Sequence, residues 1–236
     1  MGRSDGESSA EPWRRRLYVP YYRIGEAARY AKTTAQTAGR WHGGGVSPVL
    51  PPRKDRAELS YMQLIELAVV AAMRSEGVKL RAIRAARDYV AGTLISEYPF
   101  AEYRFKTDGT HLIVNYEEID PTAGVDKLLY ASQGGQLGWK AILDRRLREF
   151  EYEDGGIVIR WHVGGSDSDV VIDPRVSFGA PTISGAATWA LRGRWDAGES
   201  VEDIADDFDL SPDSVADALR FEGIQPDFSR QNLWAS

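Results

Sequence analysis

Residues 197–220 read AGESVEDIADDFDLSPDSVADALR. Ser200 and Ser211 are each placed to accept a hydrogen bond from a free backbone N–H at a helix start, and Pro212 suits a first helical position. Val201, Ile204, Ala205 and Phe208 share one helical face, as do Val215, Ala218 and Leu219 on the next. The spacing therefore predicts two short helices joined by a tight turn, the shape of a helix–turn–helix. Its charge contradicts a DNA role. Between residues 200 and 222 stand Glu202, Asp203, Asp206, Asp207, Asp209, Asp213, Asp217 and Glu222 against Arg220 alone. Phosphate repels such a surface, so this pair is expected either to meet a basic protein surface or to stand solvated.

The same division runs through the whole chain of 236 residues. Residues 1–100 carry 16 Lys and Arg against 10 Asp and Glu, whereas residues 101–236 carry 13 against 25. Opposite net charges on the two halves imply different partners, with nucleic acid assigned to the basic one. The chain has no cysteine, which excludes disulfides, thiolate metal sites and thiol nucleophiles and fits a reducing, cytoplasmic setting. Its longest apolar run, Leu67–Met73, falls far short of the roughly 20 residues needed to cross a bilayer, so no membrane role is expected. Arg14–Arg16 precede Leu17-Tyr18-Val19-Pro20 rather than the apolar segment of an export signal.

Upstream, the pattern predicts a helix from Gly25 to Ala31, a turn at Lys32-Thr33, and a second helix to about His42, capped by Thr33. Ala35, Ala38 and Trp41 then face inward, while Thr34, Gln36, Thr37 and Arg40 face out. Such an outward set, over an apolar underside, is the chemistry that reads base edges in a major groove. A loop between prolines presents Arg53, Lys54 and Arg56, suited to the duplex backbone or minor groove. Ser60 with Gln63 forms a capping box for a nearly all-apolar helix, Tyr61–Ser75, stopped by Gly77. Another helix follows from about Leu80, with Leu80, Ile83, the Arg87 stem, Val90 and Leu94 inward and Arg81, Arg84 and Asp88 outward.

Beyond Pro99, two hairpins are predicted: Ala101–Phe105 with His111–Tyr116 around Asp108-Gly109, and Glu151–Tyr152 with Ile157–Val163 around Gly155-Gly156. A helix from 138 to 149 separates them. Helices near 186–197, 201–208 and 212–222 then follow an extended stretch, Val170–Pro181.

Two resemblances refine this outline. Tyr22-Arg23-Ile24-Gly25-Glu26-Ala27-Ala28, Thr37–Trp41 and Leu59-Ser60-Tyr61 through Ile83 resemble the winged helix–turn–helix of MerR-type regulators. The likeness implies that Arg23, Thr34, Gln36, Thr37 and Arg40 approach DNA and that Arg53, Lys54 and Arg56 lie on the wing. That family's Gly-Val turn reads Ala31-Lys32-Thr33 here, and no long dimerising coiled coil follows residue 95. Residues 169–222, through Ile172-x-Pro174, Gly179-x-Pro181, Gly185, Ala197-Gly198-Glu199-Ser200, Ile204-Ala205 and Leu210-Ser211-Pro212, resemble a domain that recurs in VapB-type antitoxins.

Together the two parts resemble the long mycobacterial VapB-type antitoxins. That likeness implies a VapC-type PIN-domain ribonuclease as partner, operator double-stranded DNA as a second partner, and a homodimer or toxin–antitoxin hetero-oligomer. It also implies a C-terminal blocking segment, for which the tail offers Phe228, Arg230, Leu233 and Trp234. The alternative is a MerR-like transcription regulator with no toxin partner.

The expected fold is mixed and mainly α. It comprises a disordered tail (1–18), a winged helix–turn–helix (19–97), a small α/β middle with two hairpins (98–166), a three-helix, helix–turn–helix-like domain (167–222) and a tail (223–236). No catalysis, metal or cofactor is expected. His42, His111 and His162 lack ligand spacing, and Asp167, Asp169 and Asp173 lack the glycine and closing glutamate of a calcium loop.

Overall fold

The computed structural model describes residues 12–43, 48–52, 58–75, 77–102, 105–107, 112–115, 128–130, 148–153, 156–165 and 167–228. Within them the chain is mixed α/β, with helices predominating over small antiparallel sheets. The expected helix 138–149 lies mostly outside the described residues.

A short helix α1 (Pro12–Arg16) opens the described chain. The polarity of residues 1–18 predicts a disordered tail, yet Leu17 is 1 % exposed and Trp13 packs on the core. One buried leucine and an Arg14–Glu153 ion pair of 2.6 Å secure the segment. Strand β1 (Tyr22–Arg23) leads directly into α2 (Ile24–Tyr30), and α3 (Ala35–Trp41) follows a four-residue turn. Strand β2 (Glu58–Leu59) returns to pair antiparallel with β1.

Helix α4 (Tyr61–Ser75) starts where its capping box predicts: Ser60 N donates to Gln63 Oε1 and Gln63 N to Ser60 Oγ. It is buried on nearly every side because α2, α5 (Leu80–Leu94) and α6 (Pro99–Glu102) all pack around it. Arg87 departs from the sequence expectation. Its head does not leave the core with its stem but donates from Nε to the fully buried Glu66 at 3.0 Å. The other Glu66 oxygen accepts the Phe100 and Ala101 amides at 2.5 and 3.1 Å. Two N–H groups at the start of α6 thus donate to a side chain 34 and 35 residues upstream. This explains why Ala101–Glu102 is helix, where an extended start to the first hairpin was expected.

That hairpin survives in shorter form. Strand β3 (Phe105–Thr107) pairs with β4 (Leu112–Asn115), and β5 (Leu128–Tyr130) adds an unanticipated third strand. The second hairpin, β6 (Phe150–Tyr152) and β7 (Val158–Trp161), belongs to a larger sheet. With β8 (Val171–Ile172), β9 (Pro181–Ile183) and β10 (Ala186–Ala187) it forms a five-stranded antiparallel meander. The sheet therefore runs without a break across residue 166. Ser184 and Gly185, both at positive φ (46° and 88°), make the two-residue turn between β9 and β10 that matches strand twist.

Helices α7 (Thr188–Asp196), α8 (Val201–Phe208) and α9 (Pro212–Phe221) close the described chain. Ser200 and Ser211 cap α8 and α9, accepting from Asp203 N and Ser214 N. The buried faces are Val201, Ile204 and Ala205 on α8 and Val215, Ala216, Ala218 and Leu219 on α9. One apolar core joins these helices to α4 and the sheet.

Candidate nucleic-acid interface

Helix α3 stands against α2 on Ala38 and Trp41, which are 0 % and 8 % exposed. Ala35, expected beside them, is exposed. Three-residue steps turn an α-helix face by about 60° each, so the first of three such positions drifts out of the contact. The cap is Thr34 rather than Thr33. Thr34 is extended and its Oγ1 accepts from Thr37 N at 3.1 Å, while the Thr33 amide bonds to Ala28 O. Thr34 Oγ1 also donates to Thr37 Oγ1 at 3.0 Å.

Arg40 approaches the same hydroxyl at 3.5 Å from its NH2, the weakest of these contacts. Gln36 and Arg40 are exposed on α3, whereas the Thr34 side chain is already committed to its cap. Arg23 lies elsewhere. It borders a separate hollow of about 430 Å³ with Tyr21, Glu26, Trp189 and Glu222. The structure thus groups Gln36, Thr37 and Arg40 on one helix and sets Arg23 apart from them. Arg53, Lys54 and Arg56 lie outside the described residues, as do Arg230, Leu233 and Trp234; Phe228, past α9, is 46 % exposed.

Three cations near α3 were not singled out from sequence. Lys32, Arg74 and Arg84 border a concavity of about 590 Å³ together with Thr37 and Arg40. Arg74 gives one NH to Val78 O at 2.6 Å, and Arg84 Nε is buried without a hydrogen-bond partner. Lys32 holds a left-handed φ of 54° in the turn where MerR-type sequences carry glycine. Leu80, expected inward, and Arg84, expected outward, both border this concavity, and only folding brings residue 32 alongside.

The acidic end is built differently. Arg194 bridges Glu199 and Asp207, Asp217 accepts from Ser168 Oγ at 2.6 Å, and Glu222 accepts from Thr188 Oγ1 at 2.6 Å. Among the described residues Glu202, Asp206, Asp209 and Asp213 are exposed with no partner, leaving an uncompensated acidic face on α8 and α9. On the sheet, Arg160 joins Glu151 at 3.2 Å to Asp173 at 3.4 Å, and Arg175 reaches Asp173 at 2.6 Å. Burial raises the Asp173 carboxyl, but hydrogen bonds from Arg175 outweigh it and leave the group below its usual range. His162 sits 2.6 Å from Glu151. Among the described residues no three His, Asp or Glu side chains are placed to hold a metal ion, and no helix is long and apolar enough to cross a membrane.

Comparison with known proteins matches this layout at both scales. The family described as "Protein of unknown function (DUF433)" matches residues 170–221, from β8 through the acidic helices. Over 227 residues the chain is 27 % identical to a Mycobacterium tuberculosis protein provisionally named antitoxin VapB45, covering 86 % of this chain and 94 % of the relative. The crystal structure of Rv2018 from Mycobacterium tuberculosis superposes with a TM-score of 0.64 at 27 % identity, covering 86 % of this chain and 99 % of that one. The likeness therefore takes in the basic N-terminal half and the acidic C-terminal half together.

Proposed function

We propose that this chain is an antitoxin of a type II toxin–antitoxin pair. It binds and neutralises a PIN-domain ribonuclease and, through its N-terminal unit, binds operator DNA to restrain its own transcription. The observation that carries this reading is the similarity to the mycobacterial antitoxin along nearly the full length of both chains. A relative sharing only the C-terminal domain would support an interaction module and nothing more.

The charge division supports two partners. Gln36, Thr37 and Arg40 on α3 offer groove-reading chemistry, with Arg23, Thr34 and the loop residues Arg53, Lys54 and Arg56 as further DNA contacts. The acidic face of α8 and α9 repels DNA and suits a basic protein surface. Phe228, Arg230, Leu233 and Trp234 form the segment assigned to the toxin, with aromatic anchors and one guanidinium able to pair with active-site carboxylates.

Co-expression with the neighbouring reading frame tests the first role: a stable complex that silences ribonuclease activity is expected. Arg40→Ala in the full chain should weaken binding to its upstream DNA by about tenfold, the loss expected for one good base contact. Unchanged affinity would remove α3 as the reading helix. Deleting residues 223–236 should weaken inhibition of the ribonuclease, and full inhibition by the shortened chain would transfer that role to α8 and α9. DNA binding without any ribonuclease partner would favour a MerR-like regulator instead.

A further inference from the structure

The concavity beside α3 draws its basic walls from four places in the chain. Lys32 comes from the α2–α3 turn, Arg40 from α3, Arg74 from the last turn of α4 and Arg84 from the first turns of α5. Four cations face one space, and among the described residues no carboxylate borders it. Elsewhere Arg14, Arg87, Arg160, Arg175 and Arg194 each pair with an acid. Among the described residues no counter-charge stands here, and gathering like charges without one is unfavourable.

Two local features point the same way. Arg84 Nε is a buried donor without an acceptor, a condition that native structures tolerate where a ligand or ion completes the bond. Lys32 occupies a left-handed backbone position that glycine would fill without strain, so the chain retains a cation there against its backbone preference. Between the charges lie Trp41, Val49, Ala71 and Leu80, apolar surface for a ring. The volume, about 590 Å³, falls in the range of small-molecule clefts.

We propose that this concavity binds a phosphate-bearing small molecule of nucleotide size. Its phosphate oxygens are held by Arg84, Arg74 and Lys32, and its ring rests against Trp41 and Leu80. Thr37 and Arg40 belong both to this wall and to α3, so an occupied site competes with DNA for the same side chains. That second consequence rests on the DNA-reading role of α3, whereas the binding itself does not. A duplex backbone carries the same phosphate chemistry, but a concavity with an apolar wall suits a free ligand better than a rod.

Isothermal titration of the full chain with ATP and with adenosine tests the proposal. ATP is expected to bind, adenosine at least about tenfold more weakly, and Arg84→Gln should reduce ATP affinity by at least about tenfold. Lys32→Gly is the second variant. It relieves the left-handed backbone and so folds at least as well, yet it must also weaken ATP. No ATP heat at millimolar ligand, or an affinity unchanged in both variants, overturns the proposal. So does a loss of duplex binding in Arg84→Gln without any ATP binding, which would make the wall a contact for DNA backbone. ATP that binds but leaves duplex affinity unchanged at constant ionic strength overturns the competition alone. Duplex binding that is absent from the parent chain counts against the DNA reading and leaves the ATP measurement standing.

Discussion

At the scale of single residues, two buried polar groups in α4 behave in ways their neighbours dictate. Tyr61 is 2 % exposed and its hydroxyl has no hydrogen-bond partner. An unmet buried hydroxyl costs about 1–3 kcal/mol, so Tyr61→Phe should leave thermal stability unchanged or raise it. A drop of several degrees in melting temperature would show that the hydroxyl is satisfied after all. Glu66 is the opposite case, a fully buried carboxyl with every oxygen used. Burial pushes it up to about 7, against the pull of Arg87 and the two α6 amides. An unfolded carboxyl titrates near 4.5, so between about pH 4.5 and 7 the folded chain binds the extra proton. The contribution of this group to stability is therefore greatest below about pH 4.5 and is lost as pH rises to 7. Urea midpoints measured across that window should fall with a slope that Glu66→Gln flattens. Glu151 and Asp173, held below the usual carboxylate range, act in the reverse sense under more acidic conditions.

At the scale of elements, helix starts follow local chemistry and were readable in the sequence. Ser60 with Gln63, Ser200 and Ser211 all cap as their spacing predicts. Ser200→Ala removes the acceptor for Asp203 N and should cost about 1 kcal/mol, seen as a lower urea midpoint with unchanged slope. The α3 cap falls one residue beyond the expected Thr33, at Thr34, which is extended and accepts from Thr37 N. Short β pieces were harder to place. The partner strands of β5 and β8 are fixed by neighbours, with few local marks in two or three residues. The segment 99–102 shows the same limit, since its helix depends on Glu66.

At the scale of the whole molecule, the two halves are joined by contacts that no local pattern announces. Tyr22 Oη donates to Gly179 O at 2.9 Å, across 157 positions. Gly179 has a φ of 83°, and a β-carbon there would come within 2.3 Å of that oxygen. Gly179→Ala therefore combines backbone strain with a clash. It should lower stability by about 2 kcal/mol or more, with calorimetry reporting one earlier unfolding transition for the whole chain. Two separate transitions would instead mean that the halves fold independently. Arg29 adds a second join: it lies over the Tyr30 and Phe221 rings, donates to Phe221 O at 3.0 Å and reaches Glu222 at 3.3 Å. The charge division between the halves is legible in composition, and the sharing of one helix by Thr37 and Arg40 is legible in their spacing. The basic wall made by residues 32, 40, 74 and 84 is not, because their proximity exists only after α2 to α5 pack.

The Tyr22–Gly179 bond and the Arg29 clamp also bear on how such a gene can change. Recombination between α5 and β6 would hand the N-terminal half a foreign C-terminal half lacking the acceptor, the matching glycine and the ring beneath Arg29. New pairings of head and tail must therefore arrive with both sides of these joins already matched. Exchanging either half alone would break both joins at once.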